Sequence, residues 1–228
     1  MNNIAQQLSE VRKRVRALAK KYDRKPDSIT ILAVSKTRPD AAVRDAAALG
    51  QLDFGENYVR EALEKMEKLA DLPLIWHFIG PVQSNKTRDI AERFAWVHSL
   101  DRLKIAERLN AQRPAGLDPL NVCIQVNISG EDSKAGINPE AAPAFARDLA
   151  GFPRLRLRGL MAMPAPAAEL EQQRRPFREL RMLLEELKKD GIEADTLSTG
   201  TSGDLEAAIA EGTTLVRIGT AIFGPRAK

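Results

Sequence analysis

The sequence predicts a single (β/α)8 barrel, the TIM-barrel class of α/β fold, preceded by one extra helix. Strand-like and helix-like patterns alternate eight times along the 228 residues, and no linker, low-complexity tract or change of composition interrupts them. With 43% hydrophobic and 29% charged residues, the composition is that of a globular protein with a substantial core. We therefore expect one barrel domain over residues 1–228, with residues 1–22 forming a helix that packs on the barrel.

The first half of the chain supplies four predicted strand–helix pairs. The opening helix carries one apolar stripe, at alternating spacings of four and three: Ile4, Leu8, Val11, Val15 and Leu18. The predicted strands cover residues 31–36, 51–56, 74–79 and 96–100. The helices after them cover residues 40–49, 58–69, 85–94 and 101–109, with Gly50 as a C-cap and Asp101 as an N-cap.

The second half continues the same alternation. Its predicted strands cover residues 120–127, 155–163, 195–198 and 214–220. Its helices cover residues 138–150, 177–187 and 205–210, the first opened by Asn138 and Pro139 as a cap and first-turn pair. Eight strands in one uninterrupted series are what a closed barrel requires.

Composition also excludes several classes of function. The formal charge is +4 and the pI is about 9.3, but basic and acidic residues are interleaved along helices, so we expect no nucleic-acid partner. Cys123 is the only cysteine and His77 and His98 are the only histidines, too few for a zinc site of nitrogen and sulfur ligands. No signal pattern opens the chain and no apolar run approaches the ~20 residues of a membrane span. We therefore expect a cytoplasmic protein that does not contact membranes.

A lysine stands where the first predicted strand meets a loop. Residues 31–35 are small or apolar, and Lys36 follows them directly, ahead of a turn at Pro39. A lysine at a strand end is usually a solvated surface residue. In a parallel barrel, however, the carboxyl ends of the strands carry the chemistry, so Lys36 is a candidate site residue.

The loop after strand seven has the composition of a phosphate site. Ser198, Gly200, Thr201 and Ser202 lie between a strand and a helix, and Thr201 with Asp204 has capping-box spacing. Helix amino termini offer unpaired N–H groups and positive dipole character, which suit a phosphate. In barrels, the loops after strands seven and eight often form such a site.

Strand eight places an arginine inside the barrel. Two-residue alternation directs Val216 and Ile218 outward and Arg217 inward. A buried arginine is costly unless acceptors meet its donors, so its presence indicates a specific role. Gly219 and Thr220 follow it and supply further backbone donors.

These three features together fit pyridoxal 5′-phosphate. The Lys36 amine would condense with the aldehyde, the loop after strand seven would hold the phosphate, and Arg217 would donate to the pyridine nitrogen. Each feature alone has an ordinary structural explanation, and it is their combination that indicates this cofactor.

The chain resembles the pyridoxal phosphate homeostasis protein family, single-domain relatives of the alanine racemase barrel. The resemblance covers nearly the whole chain. The motifs that carry it are Ala33-Val34-Ser35-Lys36-Thr37, Phe54-Gly55-Glu56-Asn57-Tyr58, Trp76-His77-Phe78-Ile79-Gly80, Gln83-Ser84-Asn85-Lys86, Val126-Asn127-Ile128, Gly159-Leu160-Met161 and the run from Val216 to Gly224.

The resemblance implies a role for individual residues. Lys36 would form the internal aldimine, Arg217 would face the pyridine nitrogen, and Asn57 would lie close to the cofactor. The phosphate would be held by the segment 198–202, which includes Ser198, Gly200, Thr201 and Ser202, and by Gly219 and Thr220.

Some residues have a less defined role. The family usually has methionine where this chain has Thr199 and Thr201, so the resemblance assigns the phosphate to this loop but does not assign its individual contacts. His77 and Met161 stand near predicted strand ends, where they would either line the cofactor pocket or pack in the core. Lys134, in a charged loop, is either a surface residue or a transient second contact for the cofactor.

Three functions are consistent with these residues. The resemblance implies a non-catalytic protein that buffers pyridoxal phosphate or delivers it to client enzymes, and nothing in the sequence demands more than a monomer. The alternatives are an amino-acid racemase and a barrel enzyme that uses Lys36 on another phosphorylated carbonyl compound. The resembling racemases take a second acid–base group, a tyrosine, from a domain after the barrel. This chain ends at Lys228, and neither Tyr22 nor Tyr58 is placed to replace that group, so we expect no efficient racemisation.

Overall fold

The computed structural model describes residues 4–130 and 135–225, which form a closed parallel barrel, as predicted. Each strand pairs in parallel with the next, and the last strand pairs with the first. In chain order the strands are β1 (Thr30–Val34), β2 (Asp53–Glu56), β3 (Ile75–Phe78), β4 (Trp96–Leu100), β5 (Leu120–Gln125), β6 (Leu155–Met161), β7 (Thr196–Ser198) and β8 (Leu215–Ile218).

Helices surround the barrel, and each of α2 to α8 connects one strand to the next. The helices are α1 (Ile4–Lys21), α2 (Asp40–Ala48), α3 (Val59–Lys68), α4 (Thr87–Arg93), α5 (Leu103–Gln112), α6 (Ala142–Leu149), α7 (Leu170–Lys189), α8 (Leu205–Ala210) and α9 (Thr220–Phe223). Because every strand runs in the same direction, the carboxyl ends of all of them meet at one mouth of the barrel.

The extra helix α1 packs on the outside of the barrel, as predicted. Its apolar stripe is buried against α2, α8 and α9. At its carboxyl end, the Lys21 ammonium and the Tyr22 hydroxyl both donate to the Glu206 carboxylate at the start of α8, over 2.6 and 3.0 Å. Helix α1 therefore lies over α2, α8 and α9, the helices next to the paired strands β8 and β1.

The core has two layers of different chemistry. The main apolar cluster lies between the helices and the outer faces of the strands, and it includes Val216 and Ile218 of β8. The Arg217 side chain, between them in the chain, is buried on the inner face and bonds to Ser198 of β7 and to Ala162, which follows β6. The predicted alternation along β8 is therefore confirmed, and the barrel interior contains polar groups that need hydrogen-bond partners.

Several element ends differ from the prediction; β1, for example, ends at Val34 and not at Lys36. Strand β2 begins at Asp53, because the Gln51 side chain donates to the carbonyls of Ile31 and Asp53 ahead of the sheet. Strand β8 ends at Ile218, and the short helix α9 begins at Thr220 with bonds to the Gly219 carbonyl.

Asp101 was also predicted to cap the fifth helix, and this was wrong. Arg102 holds the position before α5, and the Asp101 carboxylate accepts from the Arg102 Nε. Within the described residues, no helix has both the length and the apolar character needed to cross a bilayer.

Candidate functional site

Pairing of the first strand with the last brings the two main predicted residues together. Leu32 of β1 is in register with Arg217 of β8, and Lys36 lies just beyond the end of β1. Both Lys36 and Arg217 line one cavity of about 300 Å³ at the carboxyl mouth. The other residues around the cavity are Val34, Asn57, Ile79, Met163, Thr201, Ser202, Gly203, Gly219 and Thr220.

Seven of the nine residues predicted from the sequence therefore line this cavity, and two lie beside it. Gly200 lines an adjoining cavity of about 430 Å³, which shares Thr201 and Arg217 with the first. Ser198 is fully buried, and its hydroxyl accepts from Arg217 Nη1 over 2.9 Å. Ser198 thus supports the arginine from inside the barrel.

Arg217 is held by acceptors on β7 and just after the end of β6. Nη1 donates to the carbonyl and hydroxyl oxygens of Ser198, and Nη2 donates to the Ala162 carbonyl over 3.0 Å. Burial lowers the pKa of Arg217 to about 10, so the guanidinium remains protonated at neutral pH. The acceptors explain how a cation is accommodated inside the barrel.

The backbone next to Lys36 is held in place by the buried ammonium of Lys65. Lys65 Nζ donates to the Ser35 carbonyl over 2.7 Å and to Glu56 Oε1 over 2.7 Å. The Ser35 hydroxyl donates to the same carboxylate oxygen, also over 2.7 Å. Burial raises the pKa of Glu56, and the Lys65 ammonium opposes that rise.

A second carboxylate completes the support of this loop. Glu61 Oε1 accepts from Lys65 Nζ over 2.6 Å and from the Thr37 backbone N–H over 2.6 Å. Thr37 has a positive φ of 61°, a conformation that few residues other than glycine adopt. The contacts on both sides of Lys36 therefore hold a turn that the sequence alone disfavours.

Asn57 presents a polar atom with no protein partner. Its Oδ1 is buried and accepts no hydrogen bond, although the residue lines the cavity. A buried acceptor without a partner costs about 1–3 kcal/mol. A bound polar group in the cavity would remove that cost, so the residues present fit a ligand with hydrogen-bond donors near Asn57.

Bonds between Thr201 and Asp204 hold the loop after β7. The Thr201 N–H and hydroxyl both donate to Asp204 Oδ1, over 2.6 and 2.7 Å. The predicted pairing of these residues is present, but it uses both donors of Thr201 within the protein. Ser202, Gly219 and Thr220 also face the cavity, and they have donors of their own.

Gly200 is required for the shape of this loop. Its φ is +91°, and a Cβ there would lie 2.6 Å from the Ala208 side chain. Its carbonyl accepts from the Arg217 backbone N–H over 2.9 Å. Gly200 thus joins the loop to β8 and lets α8 pack closely behind it.

Sequence reasoning did not single out the apolar residues Val34, Ile79 and Met163 that line the cavity, and it left the roles of two other residues open. None of these three apolar residues has a chemical signature that would have indicated its place. Met161 is buried at the end of β6, and His77 is buried inside the barrel. Lys134 lies outside the described residues.

Comparison with known proteins gives the chain relatives over its full length. Residues 6–227 match the family described as alanine racemase, N-terminal domain. A pyridoxal phosphate homeostasis protein of Pseudomonas aeruginosa is 60% identical over 226 residues, covering 99% of this chain and 97% of the relative. A protein of the same name from Escherichia coli is 53% identical over 229 residues, covering 99% of this chain and 98% of the relative.

Solved structures agree with these relatives. PipY of Synechococcus elongatus, solved with PLP bound, is 35% identical with a TM-score of 0.85, and the match covers 97% of this chain and 100% of that one. Alanine racemase of Corynebacterium glutamicum is 17% identical with a TM-score of 0.69, and the match covers 97% of this chain and 62% of that one. The racemase likeness concerns the fold alone.

Proposed function

The chain belongs to the alanine racemase N-terminal domain family and, within it, to the pyridoxal phosphate homeostasis proteins, and from this membership we propose that it binds pyridoxal 5′-phosphate and buffers or delivers that cofactor. The proposed role is non-catalytic, and the protein would act as a cytoplasmic monomer that supplies PLP-dependent client enzymes. A relative solved with PLP bound supports the choice of ligand.

One observation carries the proposal. Lys36, just after β1, and Arg217, on the adjacent strand β8, line the same cavity as Asn57, whose buried oxygen has no protein partner. Bound pyridoxal phosphate supplies an aldehyde that condenses with a primary amine and a ring that withdraws electrons from it. The cavity thus offers an amine, a cationic donor and an acceptor to one ligand.

The individual residues would divide the binding as follows. Lys36 would hold the aldehyde end, and Arg217 would donate to the ring nitrogen. Ser202, Gly219 and Thr220 would receive the phosphate, because they line the cavity and carry hydroxyl or N–H donors. Ser198, Gly200 and Thr201 would shape this arrangement through their bonds to Arg217 and Asp204.

The side chains around the cavity support a non-catalytic role. Among the described residues that line it, Lys36 and Arg217 are the only ones with a titratable side chain. Racemisation needs an acid or base on each face of the α-carbon. Neither tyrosine supplies one, because the Tyr22 hydroxyl donates to Glu206 on the outer layer and Tyr58 is exposed at the start of α3.

A reductive labelling experiment tests the proposal. Purified protein is incubated with pyridoxal phosphate, its visible absorbance is recorded, and borohydride is added. We expect an absorbance band that reduction removes, a mass increase of one reduced cofactor, and a labelled peptide that contains Lys36. Absence of a reducible adduct would reject the proposal and favour a barrel protein that acts on another phosphorylated metabolite.

A further inference from the structure

A line of hydrogen bonds crosses the barrel interior and ends on Arg217. Arg217 Nη1 donates to the Ser198 hydroxyl oxygen over 2.9 Å, and Ser198 Oγ lies 2.8 Å from His98 Nδ1. His98 Nε2 lies 2.9 Å from His77 Nδ1, and His77 Nε2 lies 3.0 Å from Asp53 Oδ1. Four of these five residues are at least nine-tenths buried, so water does not compete along most of the line.

With both imidazoles neutral, because burial lowers the pKa of His77 and His98, the two ends fix the direction of every bond between them. An arginine can only donate, and an ionised aspartate can only accept. His77 must therefore donate from Nε2 to Asp53 and accept at Nδ1, which makes His98 donate from Nε2 and accept at Nδ1. The Ser198 hydroxyl must then donate to His98, which leaves its lone pairs facing Arg217 Nη1.

The far end of the line lies at the opposite mouth of the barrel. Asp53 begins β2, and it lines a cavity of about 280 Å³ together with Arg158 and Asp195. The Asp53 side chain is 26% exposed, so solvent reaches it there. Trp96 stacks on His77, with ring centroids 5.4 Å apart and planes 10° apart, which fixes the orientation of the imidazole.

We propose that His77 and His98 are positioning residues for Arg217. Together with Asp53, the two histidines direct the Ser198 hydroxyl, and this hydroxyl sets the orientation of the guanidinium toward the cofactor's ring nitrogen. This inference rests on the proposed function, because it takes that nitrogen as the partner of Arg217. It assigns a purpose to two buried imidazoles that the cavity itself does not use. It also couples the cofactor site to the solvent-facing carboxylate at the other mouth.

The first test needs neither a variant nor the cofactor. Nitrogen-15 NMR of the histidine-labelled protein at neutral pH reports which ring nitrogen carries the proton in each imidazole. We expect both His77 and His98 to be neutral and protonated at Nε2. Protonation of either ring at Nδ1 would reverse a bond in the line and overturn the proposal.

The second test separates positioning from simple stabilisation. Asp53→Ala removes the final acceptor, and Asp195→Ala is the matched control, since it lines the same cavity but bonds to Arg158 and Thr196. Affinity is measured for pyridoxal phosphate and for an analogue with a carbon in place of the ring nitrogen. We expect Asp53→Ala to weaken pyridoxal phosphate binding about threefold to tenfold, as for one lost hydrogen bond, and to leave the analogue unchanged.

The analogue distinguishes the ways in which the idea could fail. Equal weakening for both ligands, or the same effect in Asp195→Ala, would show that Asp53 acts only on overall stability. If the parent protein bound neither ligand, the proposed function itself would fail. Should Asp53→Ala not fold, Asp53→Asn takes its place with the same expected ligand selectivity, because a neutral amide no longer fixes the direction of the line.

Discussion

The Lys65 ammonium lies 2.7 Å from the carbonyl oxygen of Ser35, the residue that precedes Lys36. This bond joins helix α3 to the loop that carries the proposed cofactor lysine. It is also one of three that Lys65 makes to buried or half-buried oxygens, with Glu56 and Glu61 as the other partners. The position of Lys36 thus depends on a charged cluster that does not itself face the cavity.

Removal of that ammonium should destabilise the fold. Lys65→Met leaves the Glu56 carboxylate buried beside Ser35 without its cation, and the loss of one partner of a buried pair costs about 3–5 kcal/mol. Urea unfolding measures the change in the free energy of unfolding. Adding Glu56→Gln should recover part of the loss, since it removes the unpaired charge. An unchanged stability in Lys65→Met would contradict this account of the loop.

Lys36→Ala should abolish covalent retention of the cofactor and leave the fold intact. The side chain is half-buried at the mouth of a cavity, so its removal opens no gap in the apolar core. The checks are the visible absorbance after incubation with pyridoxal phosphate, the mass after borohydride reduction, and circular dichroism. Lys104→Ala, at an exposed position on α5, serves as the control and should retain the label. Full labelling of Lys36→Ala would move the site to another lysine.

Ser202→Ala should weaken binding of the phosphorylated cofactor selectively. A hydrogen bond to a charged group contributes about 1.5–3 kcal/mol, so affinity for pyridoxal phosphate should fall at least tenfold. Affinity for pyridoxal, which lacks the phosphate, should change little. Equilibrium dialysis with both ligands measures the difference, and Ser9→Ala on α1 is the control. Equal losses for both ligands would exclude this loop as the phosphate site.

Thr201→Val should lower the stability of the protein and have only a small effect on cofactor affinity. Its hydroxyl donates to Asp204, so the substitution removes a bond within the loop. We expect a loss of about 0.5–1.5 kcal/mol in the free energy of unfolding, and a smaller effect on cofactor affinity than that of Ser202→Ala. Parallel urea unfolding and dialysis compare the two variants. A larger loss of affinity in Thr201→Val would make Thr201 a direct phosphate contact.

Stability should decline as the pH falls below about 6.5. Burial lowers the pKa of His77 and His98, and for His98 the neighbouring His77 and Arg217 lower the pKa further. The unfolded chain therefore binds protons near pH 6.5 that the folded protein does not. The contribution of the two neutral histidines to the free energy of unfolding is thus complete above that pH and is lost as the pH falls below it. We expect a decrease of about 1–3 kcal/mol between pH 7.5 and 5.5.

The raised pKa of Glu56 acts in the opposite sense, so the histidines should also be followed directly. In the folded protein their NMR signals should titrate only below pH 6.5, the range of a free imidazole. Titration of either imidazole near pH 6.5 would refute the proposed cause, whatever the trend in overall stability.

Incubation with L-amino acids in deuterium oxide should give no efficient α-proton exchange. The reason is that, of the described residues around the cavity, only Lys36 and Arg217 have titratable side chains. NMR follows the α-proton, and chiral chromatography follows the D-isomer. Turnover at ordinary enzyme rates of about 1 per second or faster, lost in Lys36→Ala, would promote the racemase alternative.

The alternation of strands and helices was predictable because each element carries its own local pattern. The ends of elements were less predictable. Before β2, for example, the Gln51 side chain donates to backbone carbonyls, a contact that no periodicity in the sequence reveals. The positions of Lys36 and Arg217 followed from strand ends and from two-residue alternation. The supporting contact of Lys65 with Ser35 could not be foreseen, because a lysine on a helix usually faces water.

The interior histidines show a similar limit. Sequence spacing places His77 and His98 on adjacent strands, but it does not reveal which atoms they face. Their partners come from β2 and β7, so the line of bonds exists only in the assembled barrel.

The pairing of β1 with β8 has a consequence for synthesis of the protein. Because Lys36 is made early and Arg217 late, a nascent chain on the ribosome exposes the amine long before its counterpart across the cavity exists. A chain truncated before β8 would lack one wall of the cavity and the partner of its first strand. Retention of the proposed cofactor would therefore require that translation has reached the eighth strand and that the barrel has closed.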